Sequence, residues 1–266
     1  MAASPIISLI DIRKSYRQGE FVTHVLQGIT LDIYPGEYVC IMGPSGCGKS
    51  TLLNMLGGLD QPTSGKYILG GEDIATLNDD ELSHARCSKL GFIFQSYNLI
   101  QQLSVLENIE VPMYYKGMKD SEMRPIAERL AEKVGLSHRL HHKPTELSGG
   151  QQQRVAIARA IVNDPVLILG DEPTGNLDSR TSEEIMALFQ DLNRNGKTVV
   201  IVTHEEEIAR HCKRIIRFKD GRIQLDEPVK DPIDAREAIR HLPDPDAEIP
   251  TPQPEPTAVA VPRFEV

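Results

Sequence analysis

The stretch Gly43-Pro44-Ser45-Gly46-Cys47-Gly48-Lys49-Ser50-Thr51 fits the pattern G-x-x-x-x-G-K-[ST] of a phosphate-binding loop. Its glycines allow the backbone to curl so that successive N–H groups point inward at an anion. A helix that follows adds its unpaired amides and the positive end of its dipole. Lys49 can reach the β- and γ-phosphates of a nucleoside triphosphate, and the Ser50 hydroxyl can bind Mg²⁺. These residues predict a nucleotide site.

The residues on either side of this loop predict the structural context that the motif requires. Residues 38–42 before it are apolar, as in a short buried strand, and residues 51–56 after it are typical of a helix. A strand, a phosphate loop and a helix in this order indicate an α/β fold.

Composition narrows the class of protein. The chain has 266 residues, enough for one large α/β domain, and a net charge of −9 from 29 basic and 38 acidic residues. This balance argues against a nucleic-acid partner, because nucleic-acid-binding domains present a basic surface. The four cysteines lie apart, which favours reduced thiols over a zinc site or a disulfide framework. The start of the chain lacks the pattern of a signal peptide, and apolar runs are far shorter than the roughly 20 residues of a spanning helix, so we expect a cytoplasmic protein with no membrane span of its own.

Apolar, β-branched runs alternate with helical patterns along the chain, which predicts a mainly parallel sheet flanked by helices. Two stretches ahead of the phosphate loop predict an N-terminal antiparallel β-subdomain, with Tyr16 in a polar turn after the first strand. Between residue 96 and about residue 162 helical spacing dominates, so we expect an inserted helical subdomain. The predicted core strands are 38–42, 90–94, 166–169 and 198–203, and the later helices are predicted at 152–162 and 182–192.

The chain divides into three predicted segments. Residues 1–225 form the folded domain, which ends in a hairpin with an Asp220-Gly221 turn. Residues 226–242 form a short C-terminal extension, with a helix capped at Asp231-Pro232. Residues 243–266 contain seven prolines in 24 residues and no periodicity, which predicts a disordered tail.

Two acids follow the apolar run that begins at Val166. An acid at the carboxyl end of a core strand lies where a nucleotide binds in an open α/β sheet. Asp171 would hold Mg²⁺, directly or through water, and Glu172 would orient and polarise the attacking water. The pair predicts hydrolysis of the bound triphosphate.

Further motifs appear in a fixed order around the phosphate loop. Gln95 ends a strand, residues 147–151 read LSGGQ, residues 175–178 read GNLD, and His204 follows a β-branched strand. Over about residues 6–225 this set resembles the ATP-binding subunit of an ATP-binding cassette (ABC) transporter. The phosphate loop alone would leave kinases, GTPases and helicases open, whereas LSGGQ together with Asp171-Glu172 is highly specific.

The resemblance implies a role for each matching residue. Tyr16 stacks on adenine, Glu172 is the catalytic base, and His204 contacts the γ-phosphate and links it to the base. Asp178 belongs to the loop through which two sites sense each other. The resemblance also implies two ligands, ATP and Mg²⁺. The phosphates are held by residues 43–51, the metal by Ser50, Gln95 and Asp171, and the γ-phosphate of a partner subunit by Ser148, Gly149, Gly150 and Gln151.

These roles imply a head-to-tail homodimer with two composite ATP sites. Residues 171–179, Gln151-Gln152-Gln153-Arg154 and residues 108–112 resemble the group that serves lipoprotein release, macrolide efflux and cell-division signalling. In that group the partner is an integral membrane permease with few spanning helices, so the chain is expected on the cytoplasmic face of the inner membrane. The alternatives are a regulatory ATPase that signals to a cell-envelope or division complex without transport, and a soluble DNA-repair or translation ATPase.

The remaining histidines and Cys47 are predicted to have no part in catalysis. Cys47 is predicted to be a small filler within the phosphate loop, and its place beside a helix N-terminus raises a second hypothesis of oxidative inhibition. The histidines other than His204 lack a motif and are predicted at the surface: His24, His84, His138, His141, His142, His211 and His241.

Overall fold

The computed structural model describes residues 4–242, and within them ten strands form two sheets. A four-stranded antiparallel sheet has the order β2-β1-β4-β5. A six-stranded sheet has the order β10-β9-β3-β8-β7-β6, in which β10 alone is antiparallel. The strands are β1 (Ile7–Gln18), β2 (Phe21–Ile33), β3 (Tyr38–Met42), β4 (Ser64–Leu69), β5 (Glu72–Asp73), β6 (Leu90–Phe94), β7 (Leu167–Asp171), β8 (Thr198–Thr203), β9 (Arg214–Lys219) and β10 (Arg222–Pro228).

Helices cover the larger sheet, as predicted for an α/β fold. Within the described residues they are α1 (Lys49–Leu56), α2 (Asp79–Lys89), α3 (Val105–Tyr115), α4 (Asp120–Lys133), α5 (Gly149–Ile161), α6 (Ser179–Arg194), α7 (Glu206–Ala209) and α8 (Ala235–His241). None of the helices within residues 4–242 is both long and apolar enough to cross a membrane.

Two hydrophobic cores lie on opposite faces of the parallel strands, because successive side chains of a strand alternate between faces. Cys40, Ile168 and Val199 face the core that contains the apolar sides of α3, α4, α5 and α6. Val39 and Val200 face the other core, which the antiparallel sheet and α1 close. The predicted mixed sheet, with helices and an antiparallel β-subdomain, is therefore confirmed.

The strand register brings four loops to one edge of the larger sheet. Met42 of β3 pairs with Thr203 of β8, and Val202 of β8 pairs with Asp171 of β7. Asp171 in turn pairs with Phe94 of β6. Since these strands are parallel, the residues that follow each of them emerge side by side.

The structure corrects the predicted position of Tyr16. This residue lies within β1, which runs on to Gln18, and the turn falls at the next two residues. Pairing of Tyr16 with Thr23 and of Gln18 with Phe21 continues the ladder beyond the predicted strand end. The end of β1 is polar because its residues and their partners on β2 are exposed. The sequence therefore shows no apolar pattern at this end of the strand.

Several element ends also differ from the predictions. The helix α5 begins at Gly149 rather than at residue 152, and α6 begins at Ser179 rather than at residue 182. The last helix, α8, is capped by Asp234, which accepts from the backbone amides of Arg236 and Glu237, and not by Asp231. The proline-rich segment 243–266 lies outside the described residues, and the domain boundary at residue 225 stays a prediction.

Candidate active site

The phosphate loop is seated against the β9–β10 hairpin. Gly48 has a φ of 106°, a left-handed conformation that favours glycine. A Cβ atom on Gly43 would lie 2.1 Å from the carbonyl oxygen of Phe218, so the loop approaches β9 closer than any side chain allows. The Gly221 amide also donates to the Cys47 carbonyl oxygen at 3.0 Å. The hairpin thus sets the position of the loop, a role that the sequence did not indicate.

Lys49 is buried, with 7% of its surface exposed. Its ammonium group donates to the carbonyl oxygens of Gly43 at 2.7 Å and Pro44 at 3.0 Å. These bonds hold the positive charge over the loop, where the β- and γ-phosphates would lie. The Cys47 side chain is 6% exposed, so its thiol has little access to an oxidant, and the structure favours the filler interpretation.

The two acids lie at the carboxyl end of β7, where Asp171 is the last residue of the strand and Glu172 follows it. Glu172 has a φ of 44°, which is unusual for a residue with a side chain, and its amide donates to the Val202 carbonyl oxygen at 2.8 Å. Burial raises the pKa of Asp171, and the neighbouring Glu172 charge raises it further, while Lys49 acts in the opposite sense. A cation bound beside Asp171 would relieve both costs.

Glu172 is held by His204, which follows β8. His204 Nδ1 donates to Glu172 Oε1 at 2.8 Å, and the carboxyl group is largely buried while the ring is about half exposed. The two residues emerge from neighbouring strands, which explains why residues 32 positions apart in sequence meet. The contact joins a carboxylate and an imidazole beside the phosphate loop.

The donors predicted for Mg²⁺ fit a metal that arrives with a nucleotide. Among the residues that the structure describes, no cluster of three or more His, Cys, Asp or Glu could hold a metal by itself. Asp171, the Ser50 hydroxyl and the Gln95 amide oxygen are hard ligands, and Mg²⁺ typically completes such a set with phosphate and water oxygens.

Gln95 makes a reciprocal contact with the segment that leads to Asp178. Its amide nitrogen donates to Asn176 Oδ1 at 3.2 Å, and Asn176 Nδ2 donates to the Gln95 carbonyl oxygen at 3.1 Å. A Cβ atom on Gly175 would lie 2.7 Å from the same Gln95 amide. The position of Gln95 therefore depends on that of residues 175–178. Asn176 was not among the predicted site residues.

Tyr16 lies on the antiparallel sheet beside the start of α1. Its hydroxyl donates to Asp60 Oδ2 at 2.6 Å, and the Lys14 ammonium lies 4.9 Å from its ring centroid. Partial burial and the bond to Asp60 raise the pKa of the Tyr16 hydroxyl, while a hydrogen bond with Thr51 acts against them. Tyr16 is 44% exposed, so its side chain is accessible for stacking.

The LSGGQ segment forms the N-terminus of α5. Ser148 caps the helix: its hydroxyl accepts from the Gln151 amide at 3.3 Å, and Gln151 Oε1 accepts from the Ser148 amide at 3.1 Å. Gly149 lies against the Tyr97 hydroxyl and Gly150 against the Thr181 methyl group. The exposed Ser148 and the amides of the first turn are suited to bind an anion.

Asp178 caps α6 next to this segment. It accepts from the Thr181 amide at 2.9 Å and from the Thr181 hydroxyl at 2.6 Å, and these bonds lower the pKa of its carboxyl group. Since Thr181 also contacts Gly150, LSGGQ and Asp178 form one surface. The other surface lies at the sheet edge and contains the phosphate loop, Asp171, Glu172 and His204.

One histidine prediction is wrong. His211 is buried, with 2% of its surface exposed, although the sequence placed it at the surface. His142 is half buried, and the remaining five without a motif are exposed. The signal that could have located His211 is its position directly after a helix and before the apolar strand β9.

A phosphate loop and a carboxylate–histidine pair at the carboxyl edge of a parallel sheet define a P-loop nucleotide-binding protein. The sequence profile described as ABC transporter matches residues 26–175. The chain belongs to the ABC transporter family, as an ATP-binding subunit with ATPase activity.

Relatives and solved structures agree with this assignment. The chain is 55% identical to the uncharacterized ABC transporter ATP-binding protein YknY of Bacillus subtilis, over 82% of this chain and 95% of YknY. It is 52% identical to the macrolide export ATP-binding/permease protein MacB of Azoarcus sp., over 85% of this chain but 34% of MacB. A dimeric, post-hydrolysis structure of the ATP-binding cassette MJ0796 with ADP and Pi superposes with a TM-score of 0.79 at 46% identity, over 84% of this chain and 99% of that chain.

Proposed function

We propose that this chain hydrolyses ATP to drive a membrane permease, with two copies closing head to tail over two nucleotides. The observation that carries the proposal is the 2.8 Å contact between His204 and Glu172, at the sheet edge that bears the phosphate loop. A carboxylate fixed by histidine beside a triphosphate site is suited to orient and deprotonate an attacking water.

Each side chain has a defined part in this reaction. Lys49 and the amides of residues 43–51 bind the β- and γ-phosphates, and Tyr16 stacks on adenine. Glu172 accepts the proton of the water that attacks the γ-phosphate, while His204 keeps that carboxylate in place and faces the same phosphate. Mg²⁺, held by Ser50, Gln95 and Asp171, would neutralise phosphate charge.

The LSGGQ segment completes the site of the partner subunit. Ser148, Gly149, Gly150 and Gln151 offer a helix N-terminus to an anion, and this surface belongs to α5 and α6 rather than to the sheet edge of the same chain. The dimeric structure of the cassette MJ0796 supports such an arrangement. The ADP and Pi bound in that structure support ATP hydrolysis as the reaction. Closure of the dimer would exclude water from both sites.

The membrane partner would dock on the groove between α2, α3 and β6. This groove has a volume of about 700 Å³ and contains Phe92, Phe94, Pro112 and Tyr115. Tyr115 is 78% exposed, which is typical of an interaction surface. The name of MacB, an ATP-binding/permease protein, supports a permease as the partner. In our proposal this permease has few spanning helices and holds the chain on the cytoplasmic face of the membrane.

Glu172→Gln tests the proposal. The variant should bind ATP as wild type does, lose turnover by at least about 100-fold because the base is gone, and accumulate as an ATP-bound dimer. Phosphate release measures turnover, and light scattering measures the dimer. Glu207→Gln, on an exposed neighbour, is the matched control and should leave both unchanged. Turnover near the wild-type rate in Glu172→Gln would show that Glu172 is not the base.

A further inference from the structure

His211 joins the two helices that follow the site segments. Its ring is almost fully enclosed, and Nε2 lies 2.8 Å from Glu183 Oε2 on α6. Nδ1 lies 3.0 Å from the carbonyl oxygen of Glu207 on α7. Gln190 of α6 also donates to the His211 carbonyl oxygen at 3.3 Å. Side chain and backbone of one residue thus connect α6 to α7.

Hydrogen-bond counting defines the contacts of this ring. The carbonyl oxygen of Glu207 can only accept, so Nδ1 of His211 donates to it, and Nε2 shares a hydrogen bond with the Glu183 carboxyl group. The result is a buried histidine–carboxyl contact. Breaking such a contact from one side is costly, because the other buried group is left without a partner. A contact of this kind fixes the distance between its two elements.

The two elements that it fixes are those that lead from the predicted site. The helix α6 begins directly after Asp178, and Glu183 lies in its second turn. The helix α7 begins two residues after His204. Its first residue, Glu206, accepts two bonds from Arg217 of β9, at 2.8 and 3.0 Å. The helix that follows His204 is therefore anchored to β9 at its start and, through His211, to α6 at its end.

We propose that His211 is a positioning residue for His204, and that its pair with Glu183 transmits movement of the Asp178 segment to the His204–Glu172 contact. The inference rests on the proposed role of His204 and Glu172. It adds a route within one chain: residues 175–178 face the predicted dimer surface, and a shift of α6 reaches the catalytic carboxylate through His211.

The test compares three variants for turnover and ATP affinity. His211→Phe keeps a ring of similar size but loses both bonds, and should lower kcat about 5- to 50-fold, because small displacements of a catalytic group are costly. Its ATP dissociation constant, measured with a fluorescent ATP analogue, should stay within about two-fold of wild type, since the phosphate loop is untouched. Glu183→Met breaks the same pair from its more exposed side and should lower kcat to the same extent. It provides the test if His211→Phe folds poorly. Glu183→Gln can still pair with a neutral imidazole and should keep kcat within about two-fold of wild type.

A double-mutant cycle with His204→Ala separates positioning from general damage. In the His204→Ala background, Glu183→Met should lower kcat no further, because the group that it positions is absent. An equal loss in both backgrounds, an unchanged kcat in Glu183→Met, or a loss in Glu183→Gln as large as in Glu183→Met would each overturn the proposal. Failure of the underlying function is distinct: His204→Ala itself would then turn over ATP at the wild-type rate.

Discussion

Gly150, within LSGGQ, should respond sharply to the addition of one methyl group. A Cβ atom at this position would lie 2.4 Å from the Thr181 methyl carbon, about 1 Å inside ordinary contact. The Thr181 side chain cannot simply rotate away, because its hydroxyl donates to Asp178 at 2.6 Å. Gly150→Ala should therefore separate α5 from α6 or disrupt the Asp178 cap.

The two effects of Gly150→Ala on stability have opposite signs. Overpacking costs about 1–3 kcal/mol, and alanine in a helix regains at most about 1 kcal/mol, less in a first turn. We expect a net loss of about 1–2 kcal/mol in the free energy of unfolding. For a domain of this size, that lowers the melting temperature by about 2–8 °C.

Calorimetry of four proteins tests this expectation: wild type, Gly150→Ala, Thr181→Ser and the double variant. Serine removes the clashing methyl carbon and keeps the hydroxyl bond to Asp178, so Thr181→Ser should restore most of the stability lost in Gly150→Ala. An unaltered melting temperature in Gly150→Ala would refute the close approach of the helices. So would a loss of equal size in the Thr181→Ser background.

Three further substitutions have defined outcomes. Burial and Glu172 raise the pKa of Asp171 above 3.8, so the folded protein binds the Asp171 proton more tightly than the unfolded chain does. The stability of the fold therefore falls as the pH rises from 3.8 through the raised pKa of Asp171. Asp171→Asn should therefore melt higher than wild type at pH 7 but not at pH 3, when denaturation is followed across pH. Glu172→Gly should be about 1 kcal/mol more stable than Glu172→Ala in urea, since φ is 44° there. Gly43→Ala should weaken ATP binding by at least about 10-fold in a fluorescence titration, because the Phe218 carbonyl oxygen leaves no room for a methyl group.

The buried parallel strands were the easiest elements to predict. The strands β6 and β8 have the predicted bounds, 90–94 and 198–203, because their apolar runs end abruptly at polar residues. The chemical roles of the site residues stay predictions, since the structure shows where they lie and not what they bind.

Helix starts and polar strands were predicted less well, for a shared physical reason. The first turns of α5 and α6 are polar because they contain capping residues and glycines, so apolar periodicity begins three residues too late. Tyr16 lies on a strand that is exposed on both faces, which removes the alternating pattern. The position of His211 before the apolar strand β9 could have indicated its burial, whereas its contact with Glu183, 28 residues away, is not encoded in any local pattern.

The arrangement of the caps suggests how one chain would report closure of the dimer. Asp178 caps α6 through Thr181, and Thr181 contacts Gly150 of the helix that bears LSGGQ. Two residues earlier, Asn176 exchanges hydrogen bonds with Gln95. A partner nucleotide that pulled on LSGGQ would thus move residues 175–178, and with them a predicted metal ligand. The phosphate loop, by contrast, is fixed to the β9–β10 hairpin and has no bond to this segment among those described for residues 4–242. The phosphate loop and the surface formed by LSGGQ and Asp178 are thus held by separate contacts, as the composite ATPase proposed above would require.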